Sequence, residues 1–349
     1  MTARRLDIIS CGSSLTLQDR GRPGYLACGV SAGGAMDRRA LAEGQGLLGN
    51  SSDCAAIEMV GTGGRFTASG GPVWIALTGA LFRVSVDATP VKWRTVFCLQ
   101  EGQVLDIGPC LEGNYGYLSV GGGFDVPPVL GSRATQPRAG IGGVEGRPLK
   151  AGDRLPVGDS DHLPDNPMIL PPADYFNATV IRVLWGAQAH LFPAEERSRF
   201  TETRFRISAS MDRMGVRLET GADPIRTDSG LVAISDSVVL GDLQVPGNGR
   251  PIALMADRQP TGGYPRIATI ISADIPAFAQ LRPGTEVQFS AVEEDEALEA
   301  LRQMTTMLGR VRSSARPLIR DPRDIPDLLS YNLIDGVVAE RDTQKPEDI

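Results

Sequence analysis

Four short stretches of this chain join an aspartate to the arginine after it, each beside a glycine. They are "QDRGRPGY" (Gln18 to Tyr25), "GGAMDR" ending at Arg38, "MDRMG" from Met211, and "ADRQPTGGYPR" (Ala256 to Arg266). An arginine presents a planar fork of N–H donors that fits a carboxylate, a phosphoryl group or a ureido carbonyl. An aspartate accepts from an amide N–H or acts as a general base. Gly262 and Gly263 could bare backbone amides toward an oxyanion, with Tyr264 as an aromatic wall or hydroxyl. On this chemistry Asp257, Arg258 and Asp37 are the catalytic candidates. Arg38, Arg133, Asp212, Arg213, Gln259, Gly262, Gly263 and Tyr264 are the substrate-binding candidates. The competing account of any single pair is structural: the aspartate caps turn amides, the arginine pairs outward, and glycine supplies positive φ. A site requires the four stretches to converge.

Other chemistries find less support. "VGGGFDVPPVLGSRAT" (Val120 to Thr135) is glycine-rich with Arg133 after it, but it lacks the lysine of a phosphate-binding loop. The only histidines are His162 and His190, and no Cys/His cluster occurs, so no metal site is read. The five cysteines are odd in number and form no C-x-x-C, as expected for free thiols in a reducing compartment.

The elements that must position these residues are mostly strands. "VWIALTGALFRVSVD" (Val73 to Asp87) holds two strand-like runs split at Thr78-Gly79. "QVLDIGPC" and "YGYLSVGGG" follow at the spacing of a meander or barrel. One helix is predicted from Met36 to Asn50, with Gly49-Asn50 as its C-cap. Gly44 and Gly46 inside it suggest close approach of another backbone. "LPVGDSDHLPDNPMILPPADYFNAT" carries five prolines and four aspartates, the composition of a stiff, solvated connector. Beyond it come a strand at "TVIRVLWG", a helix starting at Pro193, further strands and a helical turn at "IPAFAQLRPG". The amphipathic helix "EDEALEALRQMTTMLGRVR" and a last helix or strand, "DLLSYNLIDGVVAE", complete the chain. The expected division is 1–155, a linker at 156–178, 179–290, and a helical tail at 291–349. The fold class is mainly β with a few helices.

Composition narrows the partners. A length of 349 residues calls for two or three domains, and a net charge of −7 argues against nucleic acid or an anionic membrane. No apolar run approaches the ~18 residues of a membrane span. "MTARRLDIIS" passes directly into strand-like alternation without an apolar leader core, so a cytoplasmic location is expected.

Together "TLQDRGRPGYLACGVSAGGAMDRRAL", "LLGNSSDCAAIEM", "LTGA", "GGGFDVPPVLGSRAT", "VLWGAQ", "DRMGVRL" and "ADRQPTGGYPRIATIISAD" resemble the allophanate hydrolase subunit 2 family, the biotin-dependent carboxyltransferase subdomains A and B. The resemblance runs from about Leu6 to Phe289. It implies two cyclophilin-like β-barrel subdomains. It also implies a subunit of an amide-processing complex, and a role like that of the C subunit of 5-oxoprolinase fits a chain of this length best. The alternatives are a carboxyltransferase moving CO2 from carboxybiotin to urea or a related amide, and a non-catalytic regulator that binds a partner. The implied partners are an allophanate hydrolase subunit 1-like protein and a protein like the A subunit of 5-oxoprolinase. ATP would be handled at the level of the complex. The chain has no biotinyl-lysine segment, so carboxybiotin would arrive on a separate carrier. Pro260 and Arg266 stand where the family usually has threonine and lysine, and arginine cannot serve as a base at neutral pH.

Overall fold

A computed structural model describes residues 3–318 apart from 13, 161, 228 and 229. The predicted "DLLSYNLIDGVVAE" segment lies outside the described residues.

The first half supplies nine strands of an 11-stranded sheet, and Met168–Ile169 and Arg316–Pro317 add the other two. Its centre is the long antiparallel pair Val73–Val86 and Val104–Val120. Inward positions of these strands, such as Ile75, Leu77, Leu105 and Leu118, are fully buried in one apolar cluster with Leu6, Leu15, Ile57 and Phe66. Gly79 interrupts the first of the two with φ +74, beside a register shift against the second. A Cβ there would lie 2.4 Å from the Tyr115 carbonyl oxygen, so only glycine lets the strands cross so closely.

The second half closes into a barrel of seven strands. Val180–Trp185 closes it, pairing antiparallel with Arg266–Ile270 and parallel with Glu286–Ala291. Period-two alternation sends Ile181, Val183, Val287 and Phe289 inward. There Phe200 and Phe289 stack with ring centroids 5.2 Å apart. Strands therefore dominate both halves. The second is a closed barrel, whereas the sheet of the first follows an open path.

Helix α1 (Arg38–Leu48) has Asp37 as N-cap, accepting from the Ala40 amide at 2.9 Å, and ends at Gly49 with φ +66. Its glycines face side chains rather than another backbone. Gly44 abuts Ser119 and Thr78, and Gly46 abuts Val311. The start of α1 also joins the two halves: Met36 just before it, with Ala40 and Leu41 within it, belongs to the barrel's apolar cluster, together with Ala56, Tyr115 and Tyr117 of the first half. Helix α2 (Ala194–Glu202) follows Pro193 as predicted, and α3 (Ile275–Gln280) sits over the junction.

The proline-rich segment differs from a solvated connector. Met168–Ile169 pairs with Thr95–Leu99 of the first sheet, and Leu170, Tyr175 and Phe176 are buried. Its prolines remove donors, but its few apolar side chains still find the junction. Helix α4 (Glu294–Gly309) forms where predicted. It buries Ala300, leaves Leu298 40% exposed, and half-buries Leu301, Met304 and Leu308.

Candidate functional site at the junction of the two halves

Arg213 sits in the turn between strands Arg204–Met211 and Gly215–Glu219 of the barrel, with its side chain 12% exposed. Its Nε and Nη2 donate to the two oxygens of Asp257 at 2.8 and 3.0 Å. Nη1 reaches Glu58 of the first half, and Nη2 also donates to the Gly34 carbonyl at 2.7 Å. Three of the four Asp-Arg stretches thus meet at one guanidinium. Burial opposes its charge, but Glu58 and Asp257 outweigh that cost and hold its pKa above the ordinary arginine value.

The network continues through Glu58, whose second oxygen accepts from the Tyr117 hydroxyl at 2.7 Å and the Met36 amide at 2.9 Å. The Asp37 amide donates to the Tyr117 oxygen at 2.8 Å. Asp37 itself is fully buried, accepting from the Gln280 amide at 2.7 Å and the Tyr175 hydroxyl at 2.8 Å. Desolvation pushes its carboxyl up to about 6, although Gln280, the Ala40 amide and Tyr175 each favour the charged form. Gln280 returns the chain of bonds to the first half, accepting from the Asn114 and Tyr115 amides at 2.8 and 3.0 Å. A crevice of about 530 Å³ opens beside this network, with Asn114, Tyr115, Asp212, Arg213 and Asp257 on its wall.

The other predicted residues take varied places. Asp212 accepts from the Met214 and Gly215 amides at 2.7 and 3.1 Å, the turn-capping role. Arg133 donates from its amide to Asp19 and from Nε to the Val126 carbonyl, completing a corner of the first half. Asp19 also accepts from the Gly21 amide and Ser132 hydroxyl, so the "QDRGRPGY" aspartate is a corner residue too. Arg258 is 6% exposed, and its Nε donates to the Val238 carbonyl at 3.2 Å. Gln259 donates to the Gln244 side chain at 3.3 Å. Thr261–Gly262 pairs with Asp236–Ser237 as a two-stranded ribbon, and the Gly263 carbonyl accepts from the Ala233 amide. The glycine pair is therefore part of a backbone ladder, while Tyr264 stays 45% exposed. Arg266 donates to Asp236 at 2.5 Å and to the Ser237 carbonyl at 2.6 Å, which pins that ribbon to the barrel.

Glu58, Tyr117 and Gln280 were not among the predicted site residues. Glu58 could have been found: one acid in the apolar strand run "AIEMV" must be either solvated or partnered. Gln280 carries no such signal. Gly29-Val30-Ser31-Ala32-Gly33 has the spacing of a hydrolase nucleophile elbow. Ser31 is 2% exposed, accepts from Gln136 at 2.6 Å, and follows a short 3-10 turn rather than a strand. Among the described residues no histidine accompanies it, so it has neither the elbow's geometry nor its base. No group of three or more potential metal ligands occurs among the described residues, and no described helix is long and apolar enough to cross a membrane.

The model of the carboxyltransferase domain, subdomain A and B, matches residues 28–291. The chain is 37% identical over 309 residues to the C subunit of 5-oxoprolinase from Haemophilus influenzae, covering 88% of this chain and 97% of the relative. It is 40% identical over 298 residues to the C subunit of 5-oxoprolinase from Escherichia coli, covering 84% and 94%. The crystal structure of the K. lactis urea amidolyase superposes with a TM-score of 0.80 at 25% identity, covering 91% of this chain but 21% of that much longer one. The chain belongs to the carboxyltransferase subdomain A and B family.

Proposed function

We propose that the chain is a subunit of an amide-processing enzyme complex of the 5-oxoprolinase type, opening a cyclic amide with ATP in company with partner subunits. The observation that carries the reading is the match to two 5-oxoprolinase C-subunit sequences across nearly their whole lengths. The junction supplies suitable chemistry, with fixed acids and arginines from both halves beside a crevice large enough for a small amide. In this reading Arg213, Glu58 and Asp257 form a rigid frame, and Arg213 and Asp257 reach the crevice wall, whereas exposed Arg38 on the first turn of α1 and buried Arg258 are not on it. With both oxygens on Arg213, Asp257 orients the frame and is a poorly placed free base. ATP is bound at the shared assembly, and no residue of this chain is assigned to it. The partners are an allophanate hydrolase subunit 1-like protein and a protein like the A subunit of 5-oxoprolinase.

A carboxyltransferase role is the second reading, favoured by the likeness to the urea amidolyase structure. Carboxybiotin would then come from a separate carrier. Arg266 stays charged against Asp236 and gives such a reaction no base at that position. ATP hydrolysis by the reconstituted complex, with and without 5-oxoproline, tests the first reading. It expects stimulation by 5-oxoproline that disappears when this chain is omitted. Absence of stimulation in the full complex would remove it.

A further inference from the structure

The barrel carries a second concavity that shares no lining residue with the junction crevice. It holds about 660 Å³ and lies where α2 meets the strands Val180–Trp185 and Glu286–Ala291. Ala194, Arg197, Ser198 and Thr201 line it from the helix. That i, i+3, i+4, i+7 spacing puts them on one face of α2, while Phe200 turns into the barrel core. The Gln288 side chain donates to the Thr201 carbonyl at 2.7 Å and ties the helix to the strand behind the groove.

The wall is one-sided in charge. Although the chain has a net charge of −7, Arg197 is the only charged residue lining the groove among the described residues. The adjacent acid, Glu196, is already engaged by Arg199 and the Arg226 amide. Arg197 forms no ion pair among the described residues, and its Nε is sealed from water without an acceptor. A buried donor of this kind is costly to leave unpaired, so it calls for a partner. The guanidinium carbon sits 5.8 Å from the centroid of the Trp185 ring. That contact uses the flat face of the guanidinium and leaves its in-plane fork of N–H groups free. Beside the fork the surface is apolar and uncovered: Trp185 is 39% exposed and Val180 52%.

We propose that this groove binds a small aromatic monocarboxylate, with the carboxylate on the Arg197 fork and the ring against Trp185 and Val180. A groove of this volume, with an apolar wall and one fixed polar anchor, has the make-up of a small-molecule site. A carboxylate matches the fork with two parallel charge-assisted hydrogen bonds. One cation and no acid on the wall suit a single negative charge, whereas a phosphate dianion would find no second cation. The inference does not rest on the proposed function: the groove and the junction are separate surfaces, and the failure of either assignment leaves the other standing.

Titration of the full chain with phenylacetate, followed by calorimetry and by tryptophan fluorescence, tests it. Phenylacetate should bind and change the emission of Trp185. Neutral 2-phenylacetamide, which lacks the charge, and acetate, which lacks the ring, should each bind about tenfold more weakly or worse. Arg197→Gln should weaken phenylacetate binding about tenfold. Half-buried Arg197 breaks no described ion pair when replaced, so this variant should unfold at the same urea concentration as the unmodified chain. Trp185→Phe keeps an aromatic wall and should retain most of the binding while losing the fluorescence response, because Trp74 and Trp93 lie in the first half. Absence of phenylacetate binding overturns the proposal. So does equal binding of 2-phenylacetamide or acetate, or unchanged affinity in folded Arg197→Gln. A fluorescence response that survives Trp185→Phe puts the probe elsewhere and overturns it as well, and that readout decides alone if Arg197→Gln does not fold.

Discussion

Among the described residues Asp37 is held by three donors and no cation: the Ala40 amide, the Tyr175 hydroxyl and the Gln280 side chain. Full burial dominates those bonds and raises its pKa to about 6, against about 3.9 for an ordinary aspartate. Between those values the folded chain keeps a proton that the unfolded chain has released. The contribution of Asp37 to stability is therefore greatest below about pH 4 and is lost as pH rises through 6. Urea unfolding midpoints of Asp37→Asn should lack that part of the pH dependence, since the amide does not titrate. An identical slope between pH 4 and 6 in the variant would show that another group carries it. The residue also illustrates how one aspartate can be both a helix cap and a link between halves, a double role its Met-Asp-Arg context does not reveal.

At the scale of elements, the junction depends on strands passing closer than side chains allow. Gly79 sits where the long strand Val73–Val86 crosses Tyr115, and its carbonyl accepts from the Trp93 indole at 3.1 Å. Gly79→Ala adds a Cβ 2.4 Å from the Tyr115 oxygen, at a φ that L-residues avoid. Backbone strain of this kind costs about 1–3 kcal/mol, and the steric overlap adds to it. The variant should lose at least about 2 kcal/mol in denaturant titration. A loss below about 0.5 kcal/mol would mean that the strands part without cost. Tyr115 and Tyr117, on the facing strand, belong to the core shared with the barrel. A shift there would therefore reach the Glu58 and Gln280 bonds as well.

For the whole molecule, Arg213 is the point where the halves become one body. It contacts Asp257 on its own side and Glu58 and Gly34 on the other. Arg213→Met leaves two carboxylates, 1% and 8% exposed, without their cation. Breaking a buried pair this way costs about 3–5 kcal/mol. Adding Glu58→Gln should recover part of the loss, because a neutral amide replaces one stranded charge. A double-mutant cycle in chemical denaturation reads that coupling, and strictly additive losses would rule it out.

The sequence by itself determined the class of fold, the helices α1, α2 and α4, and the family, because strand alternation, caps and family motifs are local properties of the chain. It also singled out the Asp-Arg stretches. It did not determine their roles, since Asp212 and Asp19 cap turns while Asp257 and Asp37 enter the junction, all within similar short motifs. Composition also misjudged the proline-rich segment, where a few apolar side chains decided the packing against the average. Only the tertiary structure could bring Glu58 beside Arg213, Gln280 beside Asp37, and Gly33 beside Asp257. Those partners lie from 155 to 243 residues apart, and a carboxylate's role is set by which donors and charges surround it after folding rather than by its neighbours in the chain.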